Sequence, residues 1–143
     1  MKLLTIALLT LFINPKPIPW LKDFDKATTI AISKQQRILL NFSGSDWCTK
    51  CIEMHKEIFS TDTFITYATN NLVLVNANFP RLKKNKLSKA ELKQNEKLAE
   101  KYNPDGIFPL TVLLNANGTV LKKWLGMPKL KTTDFINEIK SIK

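Results

Sequence analysis

A short apolar run that leads directly into a pair of cysteines constrains the fold of this chain more than any other feature of its sequence. Residues 37–42 read RILLNF, the pattern of a short buried strand, and SGSDWCTKC follows them. The residues after that loop predict a helix from about Trp47 to Phe59. Cys48 and Cys51, the two cysteines of the chain, therefore lie where a loop passes from the end of a strand into a helix.

The elements on either side of this junction predict an α/β fold. A capping box formed by Ser88 and Glu91 opens one helix, and Asn117 with Gly118 predicts a tight hairpin turn between two strands. A βαβ unit followed by a hairpin and a covering helix implies a central mixed β-sheet flanked by helices on both faces. The predicted helices cover residues 21–34, 47–59, 60–71, 88–102 and 132–143, and the predicted strands cover residues 37–42, 72–79, 110–114 and 119–125.

The N-terminus has the layout of a secretory signal peptide. One lysine precedes an apolar stretch from Leu3 to Ile13 that is too short to cross a bilayer, and a proline-rich segment follows. We therefore predict a signal peptide over residues 1–19, a single domain over residues 20–143, and export, to the periplasm of a bacterium. No pair of small residues marks the cleavage point, so a retained segment that anchors the protein to the membrane stays an alternative.

The charge of the chain favours acidic partners over nucleic acid. Lys and Arg outnumber Asp and Glu by 22 to 12, which gives a formal net charge of +10. The basic run RLKKNK, residues 81–86, has no interleaved aromatic residues, so it is interpreted as a solvated loop and no nucleic-acid partner is predicted. Such a loop could steer acidic partners.

The spacing of the cysteines indicates chemistry rather than structural support. A disulfide that closes a loop of two residues removes little entropy from the unfolded chain. At the first turn of a helix, the helix dipole and the free amide hydrogens favour the thiolate of Cys48, and Cys51 lies one turn deeper. Lys50 lowers the pKa of a neighbouring thiol and Asp46 raises it, and the sequence leaves open which of the two dominates.

A metal site is the competing interpretation of the same segment. Cys48, Cys51 and His55 offer soft ligands, but a fourth ligand is missing and His55 lies two helical turns from Cys48. We therefore predict no metal and no cofactor. Trp47 is either a core aromatic residue or part of a platform for substrate.

Four segments together resemble the thioredoxin-like superfamily, in particular exported single-domain members with a G-S-D-W-C-x-x-C active site. The segments are FSGSDWCTKC, IEMHKEIF, NFPRLKKNKLSKAELKQNEKLAEKY and GIFPLTVLLNANGTVL, and the resemblance extends from Trp20 to the C-terminus. It implies a thioredoxin-like fold and thiol–disulfide exchange on the cysteines of protein substrates, with Cys48 attacking and Cys51 resolving. We also predict a monomer that exchanges electrons with a membrane-bound or soluble redox partner. A binding or chaperone module with little redox turnover is the alternative function.

The same resemblance assigns a substrate-binding segment, and the sequence differs from thioredoxins at two places. It implies that Pro109, preceded by Phe108, is a cis proline beside the cysteines whose neighbourhood holds an extended substrate peptide. We group Trp47 with these two residues as a candidate substrate-binding residue. Asn41 stands where thioredoxins carry a buried Asp that assists the resolving cysteine, and an amide accepts no proton near neutral pH. Thr49 and Lys50 replace the Gly-Pro of thioredoxins, so neither their potential nor the redox direction carries over.

Overall fold

A four-stranded mixed sheet forms the centre of the protein, which we describe from a computed structural model covering residues 19–143. The strands lie in the order β2-β1-β3-β4, with β1 parallel to β2 and antiparallel to β3, and with β3 antiparallel to β4. In chain order the elements are α1 (Phe24–Lys34), β1 (Arg37–Ser43), α2 (Thr49–Met54), α3 (Asp62–Asn71), β2 (Leu72–Asn78), α4 (Lys89–Tyr102), β3 (Leu110–Leu114), β4 (Val120–Leu125) and α5 (Thr132–Ser141).

Strand β1 separates the two layers of the core because its side chains alternate between the faces of the sheet. Ile38, Leu40 and Phe42 pack with buried residues of α1 and α4 on one face. Leu39 packs on the other face with buried residues of α2, α3 and α5. Burial of each such side chain contributes about 1.5–3 kcal/mol, so both helical layers are held firmly to the sheet. The predicted fold class, a mixed sheet with helices on both faces, is confirmed.

The helix predicted over residues 47–59 is wrong in two respects. Trp47 precedes the helix and Cys48 is its N-cap, so the α-helical part begins at Thr49. From His55 to Phe59 the chain widens into a π-helical turn, in which the Ser60 N–H donates to the His55 carbonyl at 2.8 Å. Ile58 and Phe59, the last two residues of that turn, are both buried.

The first helix also begins later than predicted. Asp23 is its N-cap and accepts a hydrogen bond from the Lys26 N–H at 2.9 Å, so α1 begins at Phe24 rather than near Leu21. Leu21 instead forms a β-bridge with Val75 at the outer edge of β2. Residues 1–18, nearly all of the predicted signal peptide, lie outside the described residues. Within residues 19–143, no helix is long and apolar enough to cross a membrane.

Candidate active site

The two cysteines form a disulfide at the start of α2. Cys48 is the N-cap and Cys51 lies in the first turn, with 5.2 Å between their Cα atoms. The Gly44 carbonyl accepts hydrogen bonds from the Trp47 and Cys48 N–H groups, which turns the loop after β1 into this helix. The predicted position of the pair, between the end of a strand and a helix, is therefore the position in the structure.

Hydrogen bonding distinguishes the two sulfur atoms, whereas burial does not. Each cysteine is 6% exposed. The Cys48 Sγ accepts a hydrogen bond from the Cys51 backbone N–H at 3.2 Å, in the geometry of an N-cap. A donor directed at the sulfur stabilises the charged form, so this contact favours the thiolate of Cys48 when the disulfide is reduced.

Trp47 covers the loop beside Cys48 and is fixed by three contacts. Its indole N–H donates to the Phe79 carbonyl at 2.7 Å, its ring meets the edge of Phe108 at 5.4 Å between centroids, and the Arg81 guanidinium lies 3.8 Å above the ring centroid. The ring also lies directly on Gly44, where an added Cβ would come within 2.2 Å of it. Trp47 is thus a half-exposed side chain that connects the cysteine loop to the segment before Pro109.

Asp46 anchors a loop that lies far away in the sequence. Its carboxylate accepts hydrogen bonds from the N–H groups of Arg81 at 2.9 Å and Leu82 at 3.0 Å, and from the Asn85 side chain at 2.9 Å. The Arg81 N–H and the Asn85 amide hold the pKa of Asp46 below its ordinary value of 3.8. The carboxylate therefore stays charged at neutral pH, two residues before Cys48. Sequence reasoning missed this anchoring contact.

Lys50 forms an ion pair on the outer face of α2. Its ammonium lies 2.6 Å from a carboxylate oxygen of Glu53, and the hydrogen bond and the charge of Glu53 raise the pKa of Lys50 above 10.5. Because Glu53 offsets the lysine charge at close range, the effect of Lys50 on a neighbouring thiol is weaker than the sequence alone suggests.

Cys51 lines a cavity of about 330 Å³ on the α2 side of the sheet. Asn41 and Ser43 reach the same cavity from β1, and Asn76 reaches it from β2. Asn41 is buried, and its side-chain amide donates to the Thr111 hydroxyl at 3.0 Å. His55 also lines this cavity, one helical turn beyond Cys51.

The segment before β3 contains the predicted proline. The Phe108–Pro109 peptide bond is cis, which is the isomer that the resemblance implied. Asn103 holds Ile107, the residue before Phe108. Its side chain accepts a hydrogen bond from the Ile107 N–H at 2.9 Å and donates one to the Ile107 carbonyl at 2.8 Å. The Pro109 carbonyl accepts from the Gly126 N–H at 2.8 Å. Within residues 19–143, the Phe108 N–H and carbonyl have no hydrogen-bond partner in the protein.

Comparison with known proteins agrees with this arrangement. The family model of the thioredoxin-like domain matches residues 24–140. The chain is 32% identical over 117 residues to the disulfide bond reductase DsbH of Chlamydia pneumoniae, a match that spans 80% of this chain and 68% of that protein.

Solved structures of other proteins share this fold. The structure of a DsbH oxidoreductase superposes with a TM-score of 0.81 at 26% identity, covering 99% of this chain and 92% of that one. A thioredoxin from Thermus thermophilus superposes with a TM-score of 0.65 at 15% identity, covering 87% of this chain and 86% of that one.

Proposed function

The chain belongs to the thioredoxin-like domain family and is a thiol–disulfide oxidoreductase, and from this premise we propose that it is an exported reductase of protein disulfides. The observation that carries the exchange chemistry is the hydrogen bond from the Cys51 N–H to the Cys48 Sγ, and the direction of the exchange rests on separate observations. A donor directed at this sulfur favours the thiolate, and on that ground we assign Cys48 as the attacking thiol.

The reaction proceeds in two exchange steps. The Cys48 thiolate attacks one sulfur of the substrate disulfide, so that a mixed disulfide forms and the other substrate sulfur leaves and takes up a proton. The Cys51 thiolate then attacks the Cys48 Sγ, and the second substrate sulfur leaves in the same way. Two electrons pass to the substrate, the protein ends in the disulfide form, and a membrane-bound or soluble redox partner must reduce it again.

Two observations support reduction as the direction. The relative from Chlamydia pneumoniae is a disulfide bond reductase. In addition, the charge of Lys50 is offset by Glu53, and Asp46 carries a negative charge close to the pair in sequence. Both effects limit the stabilisation of the thiolate, and a less stable thiolate favours the disulfide form, which makes the dithiol the better reductant.

The substrate peptide binds beside the disulfide, at Trp47 and Phe108. The rings of these two side chains are in contact. The Phe108 N–H and carbonyl can pair with a peptide, because the Asn103 side chain bonds to the neighbouring Ile107 and not to Phe108. A peptide in extended conformation can form main-chain hydrogen bonds with these groups, as two paired β-strands do. Pro109, which follows, is the predicted cis proline of this binding segment.

Export accounts for where such a reductase would find its substrates. Disulfides persist outside the cytosol, so the substrates of an enzyme that reduces disulfides occur there. The apolar residues at the N-terminus supply the leader that this proposal needs, over residues 1–19. Residues 20–143 then form the thioredoxin-like domain that carries out the exchange, and the proposed reaction uses no metal or cofactor.

Turnover of insulin disulfides, with dithiothreitol as the electron source, tests the proposal. We expect the wild-type protein to accelerate reduction and Cys48→Ser to lose at least about a hundredfold in rate, because the attacking sulfur is gone. Thr49→Ser, a change next to the same cysteine, serves as the control and should keep most of the activity. Equal rates for the wild-type and Cys48→Ser proteins would show that the dithiol does not reduce disulfides and that a binding module is the better description.

A further inference from the structure

The loop of residues 81–86, here called the basic loop, carries four cations beside the disulfide. Arg81, Lys83, Lys84 and Lys86 are all exposed. No acidic residue occurs between residues 72 and 90, so no acid close in the sequence balances them. A cluster of one sign on an exposed loop produces a local positive potential.

Other acidic groups of the described residues leave these cations unpaired. The ion pairs within residues 19–143 join Lys22 to Glu91, Lys50 to Glu53 and Lys122 to Glu138, and none of them involves the basic loop. Asp46 does touch the loop, but its carboxylate bonds the Arg81 and Leu82 backbone and the Asn85 amide rather than a cationic side chain. It holds the loop in place and leaves the ammonium groups of Lys83, Lys84 and Lys86 free to meet a ligand, whereas the Arg81 guanidinium stacks on Trp47.

The same contacts place the basic loop next to the segment that leads into the disulfide. Asp46, which anchors the loop, lies two residues before Cys48, and the Arg81 guanidinium stacks on Trp47, the residue next to Cys48. Trp47 in turn contacts Phe108, the residue before the cis proline. The basic loop, Trp47 and Phe108 therefore form one continuous surface along the disulfide.

From this placement we propose that the basic loop selects disulfides that lie in acidic segments of a substrate. The inference rests on the proposed function and names its substrate class: proteins with Asp or Glu within a few residues of the reacting cysteine. Screening limits attraction between exposed charges to about 8 Å at physiological ionic strength, so only acids close to that cysteine gain from the loop. The gain lies mainly in the rate of encounter.

Single-turnover kinetics test this inference. The reduced protein is mixed with synthetic peptides that each hold one internal disulfide and differ only in flanking residues: glutamates, glutamines or lysines. Trp47 provides the fluorescence signal for oxidation of the neighbouring pair. We expect the glutamate peptide to react about tenfold faster than the lysine peptide at low ionic strength, and the difference to shrink to less than about twofold in 0.5 M salt.

Neutralising the loop should remove the preference. The triple variant Lys83→Gln, Lys84→Gln, Lys86→Gln retains Arg81 and its contact with Trp47, so the folded loop and the fluorescence signal are kept. It should react with the three peptides at rates that agree within about twofold. Its reaction with the uncharged glutamine peptide should match that of the wild-type protein.

A matched control carries the same charge change near the opposite end of β1. Lys34, Lys140 and Lys143 lie close to the start of β1, where the Arg37 side chain donates to the Ile139 and Ile142 carbonyls, whereas the disulfide follows the end of β1. The corresponding Lys→Gln triple variant should keep the full preference for the glutamate peptide.

The outcomes separate the two proposals. Equal rates for the three peptides with the wild-type protein would overturn the selection of acidic substrates and leave the reductase intact. Loss of the preference in the control variant as well would assign it to net charge and would also overturn the role of the basic loop. No reduction of any peptide by the reduced wild-type protein would overturn the reductase itself and the inference with it.

Discussion

The two cysteines are equally buried, yet their surroundings differ in almost every other respect. Around Cys48 the structure brings together an aromatic side chain, a cation and an acidic group that anchors the loop: Trp47, Arg81 and Asp46. Around Cys51 it leaves a cavity lined in part by uncharged polar groups such as Asn41 and Ser43. Burial alone therefore does not assign the roles of the two thiols. The proposed roles rest instead on the hydrogen bonds and charges near each sulfur, because these influence which thiol ionises more readily.

The largest effect expected from this comparison comes from removing one cysteine at a time. Cys51→Ala should accumulate mixed disulfides with substrate proteins, since Cys48 can still attack but no thiol follows to release the partner. Cys48→Ala should accumulate none. Non-reducing gels of cells that make each variant measure the difference. Equal trapping by the two variants would contradict the assignment of the attacking thiol.

A smaller effect is expected from adding an acid on the Cys51 side. Asn41→Asp places a carboxylate next to the cavity that Cys51 lines, where it can accept the proton of the resolving thiol. The second exchange step should become about tenfold faster near neutral pH, with a pH profile that follows the new group. Rapid-mixing measurements of mixed-disulfide decay provide the rate.

Asn41→Ser is the control for that experiment. It shortens the polar side chain that reaches Thr111 but adds no base, so the rate of the second step should stay within about twofold of the wild-type rate. If Asn41→Asp also left the rate and its pH profile unchanged, proton transfer from Cys51 would not depend on the cavity.

The smallest effect concerns stability on the Cys48 side. The pKa of Asp46 is lowered in the folded protein, so its contribution to stability is present above the ordinary value of 3.8 and is lost as the pH falls through the lower folded value. Asp46→Asn should therefore melt at a lower temperature than the wild-type protein at pH 7, and the difference should vanish in strong acid. Thermal unfolding followed by circular dichroism tests this. A difference that is independent of pH would mean that the carboxylate charge does not hold the basic loop.

Local patterns were sufficient to predict most of the fold. Ser88 is the N-cap of α4 as predicted and accepts from the Glu91 N–H, because capping depends on residues three apart. The turn at Gly118 is also formed, with φ at 81°, a conformation that glycine adopts readily. In both cases the interacting groups are neighbours in the sequence.

Features built from distant residues escaped prediction. Asp46 bonds to residues 35 to 39 positions further along the chain, and no local pattern marks that pairing. Phe59, at the end of the π-helical turn after Met54, packs against Phe135 of α5, 76 positions further along the chain. The cavity beside Cys51 combines side chains of β1, β2 and the helix, so it becomes visible only when the sheet is assembled.

The reduction potential of the Cys48–Cys51 pair tests the central claim most directly. The purified protein is equilibrated with graded ratios of reduced and oxidised glutathione, and the free thiols are trapped and counted. The reduction potentials of proteins with this type of cysteine pair range from about −270 mV for thioredoxin to about −120 mV for a strong oxidant. A reductase with a modestly stabilised Cys48 thiolate should lie below about −200 mV. A value near the oxidising end would contradict the proposed direction and would make the protein a donor of disulfides.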